Sequence, residues 1–431
     1  MNLRPTKFAS YLGGFSLAAF MAGSALADTS IDLYYPIQVG GPLTAVIDGY
    51  VQKFEEANPG IHVNAVYSGN YNDTTTKALT AAKSSSPPAV AVLLATDIFT
   101  LIDEDVVQPV DDFITTDEDK AWVDGFMPAF LKSARVDGHL WSIPFQRSTA
   151  VLYYNKDAFA EAGLEPNAPP KTWDEMVADG EAVLKKDDSG KVTRWGVGIP
   201  GNVGSAQWLF GALVAQNGGT LVNEDGTETY LTDPKVVEAL QFWVDLSNKY
   251  GVHPQGIQEW GTTPQDFLEQ RIAMIWTTTG NLTNIRKNAT FEFGLAPYPG
   301  NPAPASVLGG GNFYIFKDAP DDQKEAAFKL IKFLTSDEIL ADWAIQTGYV
   351  APRDGSWETP ALKAYTEEVP EALVARNQIP VSVPEFSTHE NARTTKVLND
   401  ALGAALTGTK TPEQALADAQ AEIDRILRPY R

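Results

Sequence analysis

The sequence predicts an α/β protein assembled as two lobes, each a doubly wound sheet. Three observations carry this reading. Strand and helix patterns alternate over 28–95, the alternation restarts after residue 150, and some strands are apolar without a break. Alternating βα units build parallel sheets with helices on both faces, and a strand covered on both faces reads as a continuous apolar run.

Residues 31–35 read as a strand closed by Pro36, and Gly40-Gly41-Pro42 opens a helix. Leu43, Val46, Ile47, Tyr50, Val51 and Phe54 recur every three or four residues, as one buried stripe requires. Asn58-Pro59-Gly60 stops that helix, and 61–67 alternates as a strand does. A helix over 74–84 ends at Pro87-Pro88, before the apolar strand 89–95. After the restart, strands are expected at 150–155, 195–199 and 272–276. Helices are expected at 172–184 and 205–216, and again behind Thr232-Asp233-Pro234, where Pro suits the first turn. Thr411-Pro412-Glu413 caps a last helix.

Composition narrows the function. The chain has 431 residues, 33 Lys+Arg against 55 Asp+Glu, and a net charge of −22. Such an acidic surface repels phosphate backbones, so no nucleic-acid partner is expected. With 44% hydrophobic residues the chain folds rather than staying disordered. Zero cysteines exclude disulfides, Cys-ligated metals and thiol nucleophiles. The N-terminus is laid out as an export signal over 1–27: basic Arg4 and Lys7, an apolar run over 11–22, then the cleavage pattern Ala25-Leu26-Ala27. That run is shorter than the roughly 18–20 residues a spanning helix needs. A periplasmic protein without a lipid anchor is expected.

Enzymatic signatures are sparse. There is no G-x-S-x-G, H-E-x-x-H, P-loop or EF-hand pattern, and the four histidines are scattered. No catalytic residue, cofactor or metal site is assigned. Gly196-Val197-Gly198-Ile199-Pro200-Gly201 matches the dinucleotide glycine pattern, but Pro200 removes an N–H from the phosphate turn. It reads instead as a loop at the carboxyl end of a strand, where open α/β sheets bind ligands. Thr277-Thr278-Thr279-Gly280-Asn281 and Gly309-Gly310-Gly311-Asn312 read either as plain turns and caps or as ligand loops, the second lying before a strand at 313–316. Tyr35, Tyr71, Trp173, Trp276 and Tyr349 stand at element ends, where rings stack on sugar faces.

Several segments resemble the solute-binding proteins of carbohydrate-type ABC importers. They are Phe54-Glu55-Glu56-Ala57-Asn58-Pro59, Ile143-Pro144-Phe145, Val151-Leu152-Tyr153-Tyr154-Asn155-Lys156-Asp157 and Pro170-Lys171-Thr172-Trp173. Phe333-Leu334-Thr335-Ser336, Thr347-Gly348-Tyr349 and Gly408-Thr409-Lys410-Thr411-Pro412 follow in order. The resemblance implies a periplasmic binding protein fold, with the ligand in an interlobe cleft and hinge closure around it. It places lobe one at 28–144 plus 277–334 and lobe two at 145–276 plus 335–431. It implies a monomer, not an enzyme, that delivers its solute to separate ABC permease subunits in the inner membrane. An exported glycoside-processing enzyme with a two-lobed cleft is the alternative.

Within that family the glycerol-3-phosphate-binding branch looks nearest, through Gly69-Asn70-Tyr71, Ser148-Thr149, Trp173, Gly309-Gly310 and Thr347-Gly348-Tyr349. The ligand set implied by the resemblance and by the loop candidates is Tyr35, Tyr71, Arg147, Ser148, Trp173, Thr279, Gly280, Gly310, Tyr349 and Arg393. Two departures leave the ligand open among glycerol-3-phosphate, a glycerophosphodiester and a sugar. Ala95 stands where that branch has a glutamate, and its phosphate-holding arginine has only Arg393, out of register, or Arg147 as a counterpart.

Overall fold

The structure is a computed structural model that describes Met1 and residues 28–202, 204, 206–301 and 303–431. The expected export signal, apart from Met1, lies outside the described residues. The opening unit runs strand Thr29–Tyr35, helix Leu43–Ala57, strand Ile61–Tyr67, helix Tyr71–Lys83, strand Val90–Leu94. The first helix buries Leu43, Ile47, Tyr50, Val51 and Phe54, the stripe its spacing prescribes. These strands pair in parallel, with Ile31 opposite Val63 and Leu33 opposite Val90.

A second α/β half holds strands Val192–Gly198 and Ile272–Thr278, also parallel to each other. Helices Trp173–Val183, Ala206–Gln216 and Pro234–Asn248 belong to it. Two long antiparallel strands, Ile143–Asn155 and Ser306–Phe316, join the halves into one hydrogen-bonded path. Every residue of Ile143–Asn155 is buried. Its Ile143 and Phe145 pack in the first core with Phe130, Phe313 and Trp343. Its Ala150, Leu152 and Tyr154 pack in the second with Phe159, Trp243 and Trp276. The strand therefore passes between cores over residues 146–149.

The other two expected crossings lie elsewhere. Trp276, Ala296 and Val307 share the second core, and Leu282 and Ile285 pack on Val151 and Tyr153. Residues 277–307 thus stay with the second half. Leu334, Leu340, Trp343 and Leu362 pack in the first core, so the chain returns only after Ile379. The physical reason is the glycine triplet. It is not a loop before a strand but the middle of Ser306–Phe316, which itself crosses between halves. Gly310 has φ +104°, and a Cβ there would lie 1.7 Å from the Gln146 carbonyl oxygen, so only glycine fits. The register shifts between Gly311 and Asn312, a bend that lets one strand serve both cores. Among the described residues no helix is long and apolar enough to cross a membrane.

Candidate ligand-binding cleft

A cavity of about 880 Å³ opens between the two halves, beyond the carboxyl ends of the parallel strands. The first half supplies one wall. Asn70 caps helix Tyr71–Lys83 in a reciprocal box with Asp73, which fixes Tyr71 at its first position. The Tyr71 hydroxyl donates to Gln146 Oε1 at 2.8 Å. Asp97 follows strand Val90–Leu94. Thr75 Oγ1 donates to its Oδ2 at 2.8 Å, and Asn391 Nδ2 reaches its Oδ1 at 3.4 Å from the other half. Burial pushes the Asp97 carboxyl up to about 6 against those two hydrogen bonds.

The second half supplies the facing wall. Trp208 and Trp260 meet edge to face at 5.7 Å. Trp208 Nε1 donates to the Leu308 carbonyl at 2.7 Å, leaving its ring toward the cavity. Trp260 Nε1 donates across to the Gln38 carbonyl of the first half at 3.2 Å. Helix Asn391–Leu406 turns one face inward: Asn391, Thr395 and Asn399, with Ala392, Lys396 and Asp400 beside them. Residues four apart share a helix face, which explains that set.

The floor is the strand crossing. Ser148 and Gly310 lie on it, and Tyr349 closes it from the first half. Arg147 sits beneath, wholly buried. Its Nη1 donates to the Gly310 carbonyl at 3.0 Å and to Asn312 Oδ1 at 3.2 Å. Its Nη2 lies 3.8 Å from Glu385 Oε1, and Glu385 lines the cavity. Burial lifts the Glu385 carboxyl to about 8; Arg147 opposes that rise and Asp97 adds to it. Burial also draws Arg147 below its ordinary value.

Four of the sequence-predicted residues come together in the cleft: Tyr71, Ser148, Gly310 and Tyr349. The others sit elsewhere. Tyr35 ends its strand in the first core, its ring 6.1 Å from that of Tyr67. Trp173 is a packing residue of the second core. It stacks on Phe242 at 4.0 Å, and its Nε1 donates to Gln216 Oε1. Trp276 is likewise buried, stacked on Tyr298. Thr279 is buried behind Thr278 and Asn281, which do line the cavity. Gly280 supports the Tyr349 ring rather than the solute space; a Cβ there would lie 3.1 Å from that ring. Arg393 points off the cleft, two residues round the helix from Asn391, and pairs with Glu390 at 3.4 Å. Arg147 does not line the cavity; it touches the lining residues Gly310 and Glu385 from beneath. Sequence reasoning missed Asp97, Trp208, Trp260, Asn391 and Glu385. Only Asp97 carried a usable signal, its place just past the carboxyl end of an apolar strand.

The glycine pattern 196–201 serves packing. A Cβ on Gly196 would lie 2.3 Å from the Gly180 carbonyl oxygen of the covering helix. Beyond it, the Ile199 N–H donates to His253 Nε2 at 3.0 Å, and burial draws His253 down. Among the described residues no group of three or more metal-ligating side chains occurs.

Two α/β halves sharing crossed strands, with a polar and aromatic cleft between them, define a solute-binding protein. The chain belongs to the bacterial extracellular solute-binding protein family, whose model matches residues 49–371. It is 29% identical to the sn-glycerol-3-phosphate-binding periplasmic protein UgpB of Salmonella typhimurium, over 97% of each chain. The Escherichia coli UgpB is 28% identical over 96% of each. Among solved structures, UgpB from Mycobacterium tuberculosis in complex with glycerophosphocholine superimposes with a TM-score of 0.83. Its identity is 24%, covering 93% of this chain and 99% of that one. Maltose-bound MalE3 of T. maritima gives 0.81 at 23%, covering 92% and 100%. These two share the fold.

Proposed function

We propose that this protein captures a small polyhydroxylated solute in the periplasm and hands it to the permease of an ABC importer. The carrying observation is that one cavity draws its walls from both cores: Tyr71 and Tyr349 from one, Trp208 and Phe386 from the other. Residues 31–145 with 308–379 form one lobe, and 150–307 with 386–427 the other. A solute held by both walls stabilises the closed arrangement through its differential affinity for it. The named relatives support a glycerophosphate or sugar-like solute, and the periplasmic UgpB proteins of Salmonella typhimurium and Escherichia coli support the periplasm. The closed form presents both lobe faces to the permease.

The test is a thermal-shift and calorimetric panel on the purified protein: glycerol-3-phosphate, glycerophosphodiesters, maltose and monosaccharides. One class is expected to raise Tm and bind one per chain, with no product. Indifference to the whole panel, or release of product, overturns the reading and in the second case favours a glycoside-processing enzyme.

A further inference from the structure

Tyr71 lines the cavity, but its hydroxyl is committed to a residue outside the lining. That residue is Gln146, 3% exposed, where strand Ile143–Asn155 passes between the cores. The Tyr71 hydroxyl meets Gln146 Oε1 at 2.8 Å, and Gln146 Nε2 reaches the Pro36 carbonyl at 3.5 Å. Only one orientation of the amide suits both neighbours. Turned round, it would set Oε1 against the Pro36 carbonyl oxygen, acceptor against acceptor. Nε2 therefore faces Pro36 and Oε1 faces Tyr71. An amide oxygen only accepts, so the Tyr71 proton goes to Gln146 and the phenol oxygen keeps its lone pairs.

A glycine makes this contact possible. Gly311 stands opposite Gln146 where the two long strands pair. A Cβ on Gly311 would lie 2.8 Å from Tyr71 Cε1, so a larger residue would push the ring off the strand and its hydroxyl away from Gln146. Burial raises Tyr71 well above its ordinary value and pushes Tyr349, whose hydroxyl acts on that of Tyr71, up to about 12. Both phenols therefore keep their protons at neutral pH.

We infer that Gln146 is a positioning residue of the cleft: it fixes the Tyr71 hydroxyl as a hydrogen-bond acceptor, so this wall takes the part of the solute that presents an O–H or N–H donor. This rests on the solute-binding reading above and adds to it one residue and one polarity. An ether or ester oxygen placed at the same point would face lone pairs with no proton between them.

Calorimetry on the full protein tests the inference, with glycerol-3-phosphate, glycerophosphocholine and maltose as probes. Wild type is compared with Gln146→Met, Gln146→Glu, Tyr71→Phe and the double variant Gln146→Met/Tyr71→Phe, each checked for folding by circular dichroism. For a probe that binds wild type, Gln146→Met and Tyr71→Phe are each expected to weaken binding at least about tenfold. The double variant is expected to bind within about threefold of either single variant, because both remove the same interaction. Gln146→Glu is expected to stay within about threefold of wild type. Its buried carboxyl keeps an oxygen for Tyr71 and, protonated, a donor for Pro36. Wild-type affinity in Gln146→Met, losses that multiply in the double variant, or an equal loss in Gln146→Met and Gln146→Glu overturns the inference and leaves the solute-binding reading standing. Failure of all three probes to bind wild type overturns both.

Discussion

His389 of the second lobe pairs with Asp103 of the first, Nδ1 to Oδ2 at 2.8 Å, across 286 residues of sequence. The pair belongs to a clasp at the cleft rim. Ser387 Oγ donates to the Thr96 carbonyl at 2.9 Å, and the Asn391 N–H donates to Thr100 Oγ1 at 3.2 Å. The His389 ring lies between Phe99 and Tyr430, 4.7 and 4.3 Å away. Segment 387–391 thus holds helix Ile98–Asp103, which packs on the first sheet through Ile98 and Leu101. Opening the cleft has to break these contacts.

Removing the clasp is expected to favour the open form. His389→Ala loses a side-chain hydrogen bond worth about 0.5–1.5 kcal/mol, together with ring packing of similar size. The ligand-free protein is expected to show a larger radius of gyration by small-angle scattering, and solute affinity is expected to fall severalfold. Identical scattering and affinity would show that the clasp does not govern closure.

Trp173 separates packing from recognition. It is buried against Phe242 and Gln216 in the second core. Trp173→Ala is expected to destabilise the fold by about 3–5 kcal/mol, as large-to-small core changes do. The folded fraction is expected to keep its solute affinity. A stable variant with lost affinity would return Trp173 to the site.

Gly310 is a test of the crossing. With φ +104° and the Gln146 carbonyl in the Cβ position, Gly310→Ala is expected to cost more than about 2 kcal/mol by denaturant titration. Gly138 has φ +81° but open space around it, so Gly138→Ala is expected to cost less. Equal costs would mean that the close approach of the two strands does not matter.

The raised carboxyls set a pH dependence. Glu385 near 8 and Asp97 near 6 bind protons more tightly when folded than an ordinary carboxyl near 4 does when unfolded. Between about pH 4 and 8 the native state therefore holds more protons, and these groups make stability fall as pH rises. Arg147, Asp97, Tyr71 and Tyr314 are the charged or titratable groups whose fields act with Glu385. Glu385→Gln is expected to flatten the decline of Tm between pH 5 and 8. A decline of unchanged slope would show that Glu385 is not its source.

The architecture was legible because periodic burial is local. The stripe from Leu43 to Phe54 and the run at Val90–Leu94 follow from one face or both faces being covered. The lobe boundaries were not legible in the same way. Whether 277–307 joins one sheet or the other depends on pairing partners far away, such as Gly310 opposite Arg147. The cleft was partly legible. Tyr71 and Tyr349 stand at element ends, but Glu385 and Asn391 enter only through the path of a long return segment. Trp173 looked like a ligand ring because a helix start is a common site position. Only the contact with Phe242 shows that it faces inward.

The most direct measurement is calorimetric titration of the panel solute that raises Tm most, into wild type, Tyr71→Ala and Trp208→Ala. Tyr71 and Trp208 stand on opposite walls. One solute per wild-type chain is expected, with each substitution weakening binding by at least about tenfold. Unchanged affinity in either variant would mean that one lobe alone holds the solute, and would contradict capture by closure of both.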